Sequence, residues 1–417
     1  MIWSIAQKEI LENLTTYRFF ILTALLAILM TVSIIVMYGD YQSRLENYNL
    51  LLPEQNSPNV IIPPNPLSIF AKGLDSNLGR LYEISILGIQ VRLNQQSVNR
   101  LFALFTVPDM LFIIRVMLAL IAILFTFDAV TVEKEQGTLR LILASGGQRA
   151  FFLFGKLIGR FALIYVPFAL LVLAYAIVVS LLPDVQSGSY YWQRVGFIIV
   201  TSVFYVFAFS ALGLFVSSLV HRSSTAMILG LAIWSLFVFV IPNMGTTIAK
   251  AISDVPPSER VEMQSRLAAI RAIYERSQRE RTAGEGQEAL RMIQQIRDAN
   301  SQLLESYRPM SNELIRITKT TARISPAGAL TFLLTDGTNT GLYEELKLKD
   351  AITLHVNRNF NRIIGLEKGP IENFGYHRAS LSEVLLGSAF TDVLILVLYS
   401  IGFIGMALIG FLRYDPR

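Results

Sequence analysis

Residues 110–140, MLFIIRVMLALIAILFTFDAVTVEKEQGTLR, join a long apolar run to a short charged passage. The apolar part, roughly Met110–Phe127, can cross a bilayer as a helix, because a hydrocarbon core of about 30 Å needs about 20 helical residues. A second run of this kind follows at Phe161–Leu182. The charged passage between the two runs, Asp128–Arg140, must therefore lie in water or against protein.

The composition of the whole chain is that of an integral membrane protein. Hydrophobic residues make up 53% of the sequence and charged residues 16%, and the mean hydropathy is +0.49. Since lipid cannot satisfy exposed backbone groups, and no apolar run alternates as a barrel strand does, we expect an all-α fold with six transmembrane helices. The predicted spans lie at about 19–38, 109–129, 161–182, 195–219, 225–244 and 389–412.

The Lys and Arg residues of the short loops and chain ends fall on one side of this arrangement. They are Lys134, Arg140, Arg149, Lys156, Arg160, Arg222, Arg413 and Arg417. The positive-inside rule then makes residues 1–18, the loop 130–160 and the tail 413–417 cytoplasmic, as expected for a multi-pass protein of the bacterial inner membrane. The net charge of +5 reflects this bias between sides, so we expect no nucleic-acid partner.

Two long segments, 39–108 and 245–388, are left on the extracytoplasmic side, where the absence of cysteine means that no disulfide joins them. Prolines predict an extended loop at the start of the first segment, with helix or short strand after Leu67. In the second segment, heptad-like spacing on both sides of Ala283–Gly286 predicts an antiparallel helical hairpin. Either the hairpin presents a solvated surface that binds no ligand, or it is a stalk that binds a partner. We expect the two segments to form one mainly helical domain.

Residues 1–18 carry Trp3, Ala6, Ile10 and Leu14 at helical spacing, with polar residues on the other face. This pattern predicts an amphipathic helix in contact with membrane lipid, or else a plain helical extension of the first span. Because the first apolar run is about 20 residues long and lacks a small-residue cleavage site, we interpret it as a retained span.

Catalytic, nucleotide-binding and metal-binding signatures are not found in the sequence. Gly155-Lys156 is not a phosphate-binding loop, because Ala150 replaces its first glycine and Leu157 its metal-binding hydroxyl residue. The chain has three histidines and no cysteine, and His355 and His377 are 22 residues apart in an external segment. We therefore expect no enzymatic activity, no resident cofactor and no metal site.

Two charged residues fall inside predicted spans. Arg115 lies about two turns from the outer end of span two, and Asp392 about one turn into span six. Each side chain either reaches back to the interface or joins the other in an ion pair that holds spans two and six together.

The passage Asp128–Arg140, with its core Glu133-Lys-Glu-Gln-Gly-Thr-Leu-Arg140, resembles the coupling-loop signature of type-2 ABC exporter permeases. The resemblance is strongest to the subgroup associated with copper-enzyme maturation and gliding-motility loci. Ile5–Glu9 is similar to the connecting helix of that family, and Ser217-Ser218 to its region between spans four and five. Ser325–Ala329 is similar to the branch with a large outer domain. Copper itself is not indicated, because the eleven Met residues are scattered.

The resemblance implies a transport subunit that works with other proteins. A second permease copy, identical or related, would complete the membrane part, and two cytoplasmic ABC ATPase subunits would bind ATP and Mg. The contact with the ATPase would lie on a coupling helix at about 131–140. The residues implied in this interface are Glu133, Lys134, Glu135, Gly137, Thr138 and Arg140.

The residues of this passage support the same interpretation on physical grounds. A short helix of mixed charge can fit a groove on a soluble partner, and Gly137 permits the turn that returns the chain to the membrane. An ordinary solvated loop is the alternative. For the whole chain, three functions stay open: substrate export, mechanical action on a periplasmic partner without translocation, and a non-transport scaffold that presents the external hairpin.

Overall fold

The computed structural model describes most of the chain outside parts of the large segments. The described residues are 2–52, 58–85, 88–92, 108–139, 149–252, 309–310, 312–363 and 367–413, with the single positions 263 and 267. Most of the predicted helical hairpin, and Arg140, therefore lie outside the described residues.

Six helices of the described residues are long and apolar enough to cross a membrane, which confirms the predicted fold class. Spans one to six, in order, are Tyr17–Leu50, Met110–Glu135, Arg149–Ser180, Ser189–Leu219, Ser223–Gly245 and Phe390–Leu412. A further helix, Ile2–Leu14, precedes span one and is called the N-terminal helix below.

Span one is longer than predicted, because its helix continues to Leu50 and the extended loop expected from residue 39 begins only after it. No proline interrupts the chain before Pro53. The polar continuation also has its own partners, since Arg44 bonds to Ser68 at 2.8 Å and forms an ion pair with Asp75. The last turns of this helix therefore belong to the large outer segments.

Spans two and four form the centre of the bundle. In an 18-residue apolar stretch of each of them, 72% and 67% of the residues are buried, against 33% or less in the corresponding stretches of the other four spans. The two central spans are also joined by a hydrogen bond from the Tyr205 hydroxyl to the Arg115 carbonyl oxygen at 2.6 Å. The peripheral spans keep apolar surfaces that suit contact with lipid.

Three π-helical turns occur in the described residues, all toward the side of the large segments. They are Ile113–Leu118 in span two, Leu236–Val240 in span five and Leu385–Ala389 before span six. The helix Pro326–Gly337, called the buried helix below, contacts all three turns. Turns of this kind are frequent at functional sites.

The described parts of the two large segments pack against each other. Short helices at Pro66–Ile69 and Asp75–Leu78 and an antiparallel strand pair, β1 (Leu81–Ser85) and β2 (Gly88–Arg92), come from the first segment. The second segment contributes the outer helix, Leu342–Ile363, and the short helix Leu381–Val384. Leu78, Tyr82, Leu348 and Ile352 share a small hydrophobic core between the segments.

Candidate functional site

The N-terminal helix lies against the beginning of span three, where the sequence Gly155-x-x-x-Gly159 leaves a shallow groove. A Cβ at Gly159 would stand 2.7 Å from the Ala6 carbonyl oxygen, and one at Gly155 would stand 2.8 Å from the Ile5 Cβ. Because neither glycine has a side chain, the two helix backbones approach closely, and Ala6 is fully buried between them. This contact places Glu9 beside the basic residues of span three.

Glu9 bridges two buried cations of span three. One carboxylate oxygen lies 2.7 Å from Lys156 Nζ, and the other lies 2.7 Å from Arg160 Nε. All three side chains are buried. Burial by itself raises the pKa of Glu9, but the adjacent Arg160 and Lys156 outweigh it and hold the pKa below its usual value. Glu9 is therefore ionised at neutral pH and binds the N-terminal helix to span three.

The same two cations hold the charged segment, residues 128–139 of the described chain. Lys156 Nζ lies 3.1 Å from a Glu133 oxygen, and Arg160 forms an ion pair with Asp128. Arg160 also donates to the Phe125 carbonyl oxygen at 2.8 Å. Glu9, Glu133 and Asp128 thus alternate with Lys156 and Arg160 in one network that joins three parts of the chain.

Lys134 fixes the charged segment to the end of span four. Its ammonium donates to the carbonyl oxygens of Ser218 at 2.6 Å and Val220 at 2.9 Å, where the helix leaves carbonyl groups without partners. In the other direction, the Ser217 hydroxyl oxygen accepts from the backbone N–H of Val130 at 2.8 Å. The pairing sets the position of the segment against span four.

Glu135 completes the attachment at the beginning of span five. One of its oxygens accepts from the backbone N–H of Ser223 at 2.7 Å, and the other from the Ser223 hydroxyl at 3.0 Å. A carboxylate at this position is favourable because the first N–H groups of a helix lack internal partners. The charged segment therefore contacts the N-terminal helix and spans three, four and five, partly through Lys156 and Arg160.

The turn after Thr131–Glu135 points away from the bundle. Gly137 has φ +73°, a conformation that glycine adopts without strain, and nothing lies within 4 Å of a Cβ built there. Thr138 closes the turn by donating to the Glu133 carboxylate. Glu135, Gln136 and Gly137 are exposed. They form the tip of the charged segment, which is free to meet another protein.

Comparison with known proteins identifies the group to which this arrangement belongs. The sequence matches the family described as ABC-2 family transporter protein across residues 3–416. The chain belongs to this family. It is also 32% identical over 128 residues to the protein named "Probable ABC transporter permease protein NosY" from Stutzerimonas stutzeri. That match covers 30% of this chain and 45% of the relative, so the chain spans about half the length of the curated protein it matches.

The predicted resemblance to type-2 ABC permeases is confirmed by these matches, and the chain is a multi-pass ABC-2 membrane protein. The structure adds where the predicted residues of the charged segment lie. Glu133, Lys134 and Glu135 are bonded to other parts of the same chain, so their main effect on any partner would act through the position of the tip. Contact of the segment with an ATPase stays a prediction.

Of the two alternatives for Arg115 and Asp392, the ion pair between them is not formed in this ABC-2 protein, because Asp392 has a different partner. Both carboxylate oxygens of Asp392 bind Arg323, at 2.6 and 2.8 Å, on the chain that enters the buried helix. Arg115 lies in the π-helical turn of span two, and its Nε is buried without a hydrogen-bond partner. The apolar runs predicted that Arg115 and Asp392 lie at the outer end of the bundle. They could not predict that Arg323 lies at the same depth and contacts Asp392.

Glu9 is the functional candidate that sequence reasoning missed. From the sequence, Glu9 was considered only as part of Ile5–Glu9, the stretch that is similar to the connecting helix of the family. Glu9 stands three residues after Ala6, however, and therefore shares its helix face. A carboxylate on the face that packs against Gly155 and Gly159 predicts a buried cationic partner, and Lys156 and Arg160 are adjacent to those glycines. Within the described ranges, no three His, Asp or Glu side chains form a group suited to a metal ion.

Proposed function

We propose that this ABC-2 protein is the membrane-spanning permease subunit of an ATP-binding-cassette exporter. A separate cytoplasmic ATPase would bind ATP and Mg, and the charged segment would receive the movement that follows hydrolysis. The spans would convert that movement into export of a substrate or into motion of the outer domain. Six spans per chain favour a dimer, with itself or with a related permease, that recruits two ATPase subunits.

The observation that carries this proposal is the way the charged segment is held. A loop that only joined two spans would need few contacts, whereas this one is bonded to elements from both halves of the chain. A force on the exposed tip would therefore act on the N-terminal helix and on spans three, four and five together. Such an attachment suits a site through which an ATPase would move the spans.

The proposed orientation of the chain is supported by the same region. Lys134, Arg149, Lys156, Arg160 and Arg222 lie on the side of the charged segment. By the positive-inside rule we propose that this side is cytoplasmic, with both termini in the cytoplasm and the large segments outside the bacterial inner membrane. An ATPase that uses cellular ATP would meet the tip on this side.

The proposal is tested by co-purification of the chain with its candidate ATPase subunit in lipid, followed by a measurement of ATP turnover. Gln136→Arg changes the exposed tip without removing an internal bond, and Gln193→Arg places the same change at an exposed position on the opposite side. We expect Gln136→Arg to weaken association or turnover and Gln193→Arg to leave both unchanged.

The double variant Glu133→Ala/Glu135→Ala should lower turnover further, because it also releases the tip from span three and span five. If native protein neither associates with the ATPase nor supports turnover, the permease proposal is wrong. A membrane scaffold that presents its outer domain would then be the better account.

A further inference from the structure

The buried helix, Pro326–Gly337, is enclosed by protein although it belongs to an external segment. Its start is fixed by Ser325, whose hydroxyl oxygen accepts from the Ala327 N–H at 3.0 Å, and by Pro326 at the first helical position. Ten of its residues are buried, among them Ala327, Gly328 and Ala329. These small side chains let the neighbouring spans pack close around it.

The buried helix contacts the centre of the bundle and its π-helical turns. It packs on spans four and six and touches each π-helical turn of the described residues. At its beginning, the Ser325 hydroxyl donates to the Phe237 carbonyl oxygen in the π-helical turn of span five. At its end, Arg194 of span four donates to the Gly337 carbonyl oxygen at 2.5 Å. Four of the six spans therefore meet at this one helix.

Two ion pairs attach the preceding helix, residues 312–322, to the same place. Lys319 Nζ lies 3.4 Å from the Asp336 carboxylate of the buried helix, and Arg323 binds Asp392 of span six through two hydrogen bonds. Both carboxylates are buried, with 1% and 0% of their surface exposed. Removing one partner of such a pair leaves a buried charge uncompensated, so the attachment resists separation.

The contacts between the buried helix and the spans can change if a π-helical turn changes. A π-helical turn contains one extra residue, and its loss or displacement changes the advance of a helix by about 1.5 Å and its rotation by about 100°. Packed interiors switch between discrete arrangements and do not deform continuously. A shift of this kind in span two, five or six would have to move the buried helix or break its contacts.

We propose that the buried helix is a transmission element that carries movement of the spans to the second large segment. The Lys319–Asp336 pair attaches it to helix 312–322, and the Arg323–Asp392 pair attaches the end of that helix to span six. The external segment continues from helix 312–322. This inference rests on the proposed function, because it takes the ATPase at the charged segment as the source of movement. It adds that the outer domain is a driven part of the cycle.

Hydrogen exchange measured by mass spectrometry tests this inference on the complex with the ATPase in lipid nanodiscs. Exchange is compared without nucleotide and in the ADP–vanadate state reached after ATP hydrolysis, for peptides covering 131–139 and 312–337. The native protein should show a nucleotide-dependent change in both regions. Asp392→Asn should keep the change at 131–139 and lose it at 312–322, while Asp350→Asn, an exposed residue of the outer helix, should behave as native.

The outcomes separate this inference from the proposed function. A native change at 131–139 without any at 312–337 would overturn the transmission role and leave the permease proposal intact. Absence of change at both regions would overturn both. If Asp392→Asn does not fold, the exchanged pair Arg323→Asp/Asp392→Arg replaces it. Restored exchange behaviour in that variant supports the attachment, and a folded variant without the change at 312–322 contradicts it.

Discussion

Glu9 and Glu344 are both buried glutamates at opposite ends of the molecule, but their surroundings shift their pKa values in opposite directions. Burial raises the pKa of each carboxyl group, and for Glu344 this effect prevails. For Glu9 it does not, because Lys156 and Arg160 both lie 2.7 Å away and hold the pKa below its usual value. Burial alone therefore does not decide the charge of a buried acid; direct contact with cations does.

The difference extends to the regions around the two residues. Glu344 accepts from the Tyr376 hydroxyl at 2.8 Å and from the Ala379 N–H at 3.3 Å, and both donors are neutral. Arg194, also buried, is held by the carbonyl oxygens of Gly337 and Ala379. The surroundings of Glu344 are thus fixed by hydrogen bonds from neutral donors, whereas the charged network around Glu9 joins elements that are far apart in sequence.

The largest effect is expected from removing the charge of Glu9. Glu9→Gln leaves Lys156 and Arg160 buried with fewer counter-charges, so we expect a loss of about 3–5 kcal/mol in the free energy of unfolding. Glu12→Gln is the matched control, since Glu12 is exposed on the same helix and pairs only with exposed Lys8, a contact worth about 0–1 kcal/mol. Thermal unfolding in detergent measures both. Equal midpoints for the two variants would show that the network contributes little.

A smaller effect is expected from closing the groove that brings Glu9 to its partners. Gly159→Ala places a Cβ against the Ala6 backbone, so overpacking should cost about 1–3 kcal/mol and displace the N-terminal helix. Gly196→Ala in span four meets nothing within 4 Å and should stabilise its helix by up to about 1 kcal/mol. Thermal unfolding is again the measurement. A Gly159→Ala protein as stable as Gly196→Ala would mean that the helix is not closely packed.

The smallest effect concerns Glu344 and depends on pH. Because its folded-state pKa is raised, its contribution to stability is present below the unfolded value near 4.5 and is lost as the pH rises through the folded-state value. Glu344→Gln, which cannot ionise, should therefore gain stability relative to native as the pH rises, by about 1 kcal/mol. Midpoints of unfolding between pH 4 and pH 8 measure this change.

The Glu9 variant should show the opposite dependence when the series is extended below pH 4. Since the folded-state pKa of Glu9 is lowered, its stabilisation is present above about pH 4.5 and disappears as the pH falls through the folded-state value. The deficit of Glu9→Gln should therefore shrink in acid. If the two variants changed with pH in the same direction, the contrast between the two buried glutamates would be incorrect.

Local patterns of sequence were enough for the spans and for part of the site. Apolar runs predicted six helices, and Gly137 predicted a turn, because both depend on neighbouring residues. The partners of Glu9 and Asp392 could not be found in this way, since Lys156 and Arg323 are distant in the chain. The continuation of span one to Leu50 was missed because its polar residues are stabilised by the first outer segment. The glycines at 155 and 159 were a local signal of the close helix packing beside Glu9.

The account depends most on the tip of the charged segment being the place where an ATPase binds. A photoreactive amino acid introduced at Gln136, with Gln193 on the opposite side as the control, tests this contact in membranes that contain the candidate ATPase subunit. The account predicts a covalent product with the ATPase from position 136 and none from position 193. A native-like protein that gives no product from position 136, while it still co-purifies with the ATPase, would contradict the assignment of the charged segment.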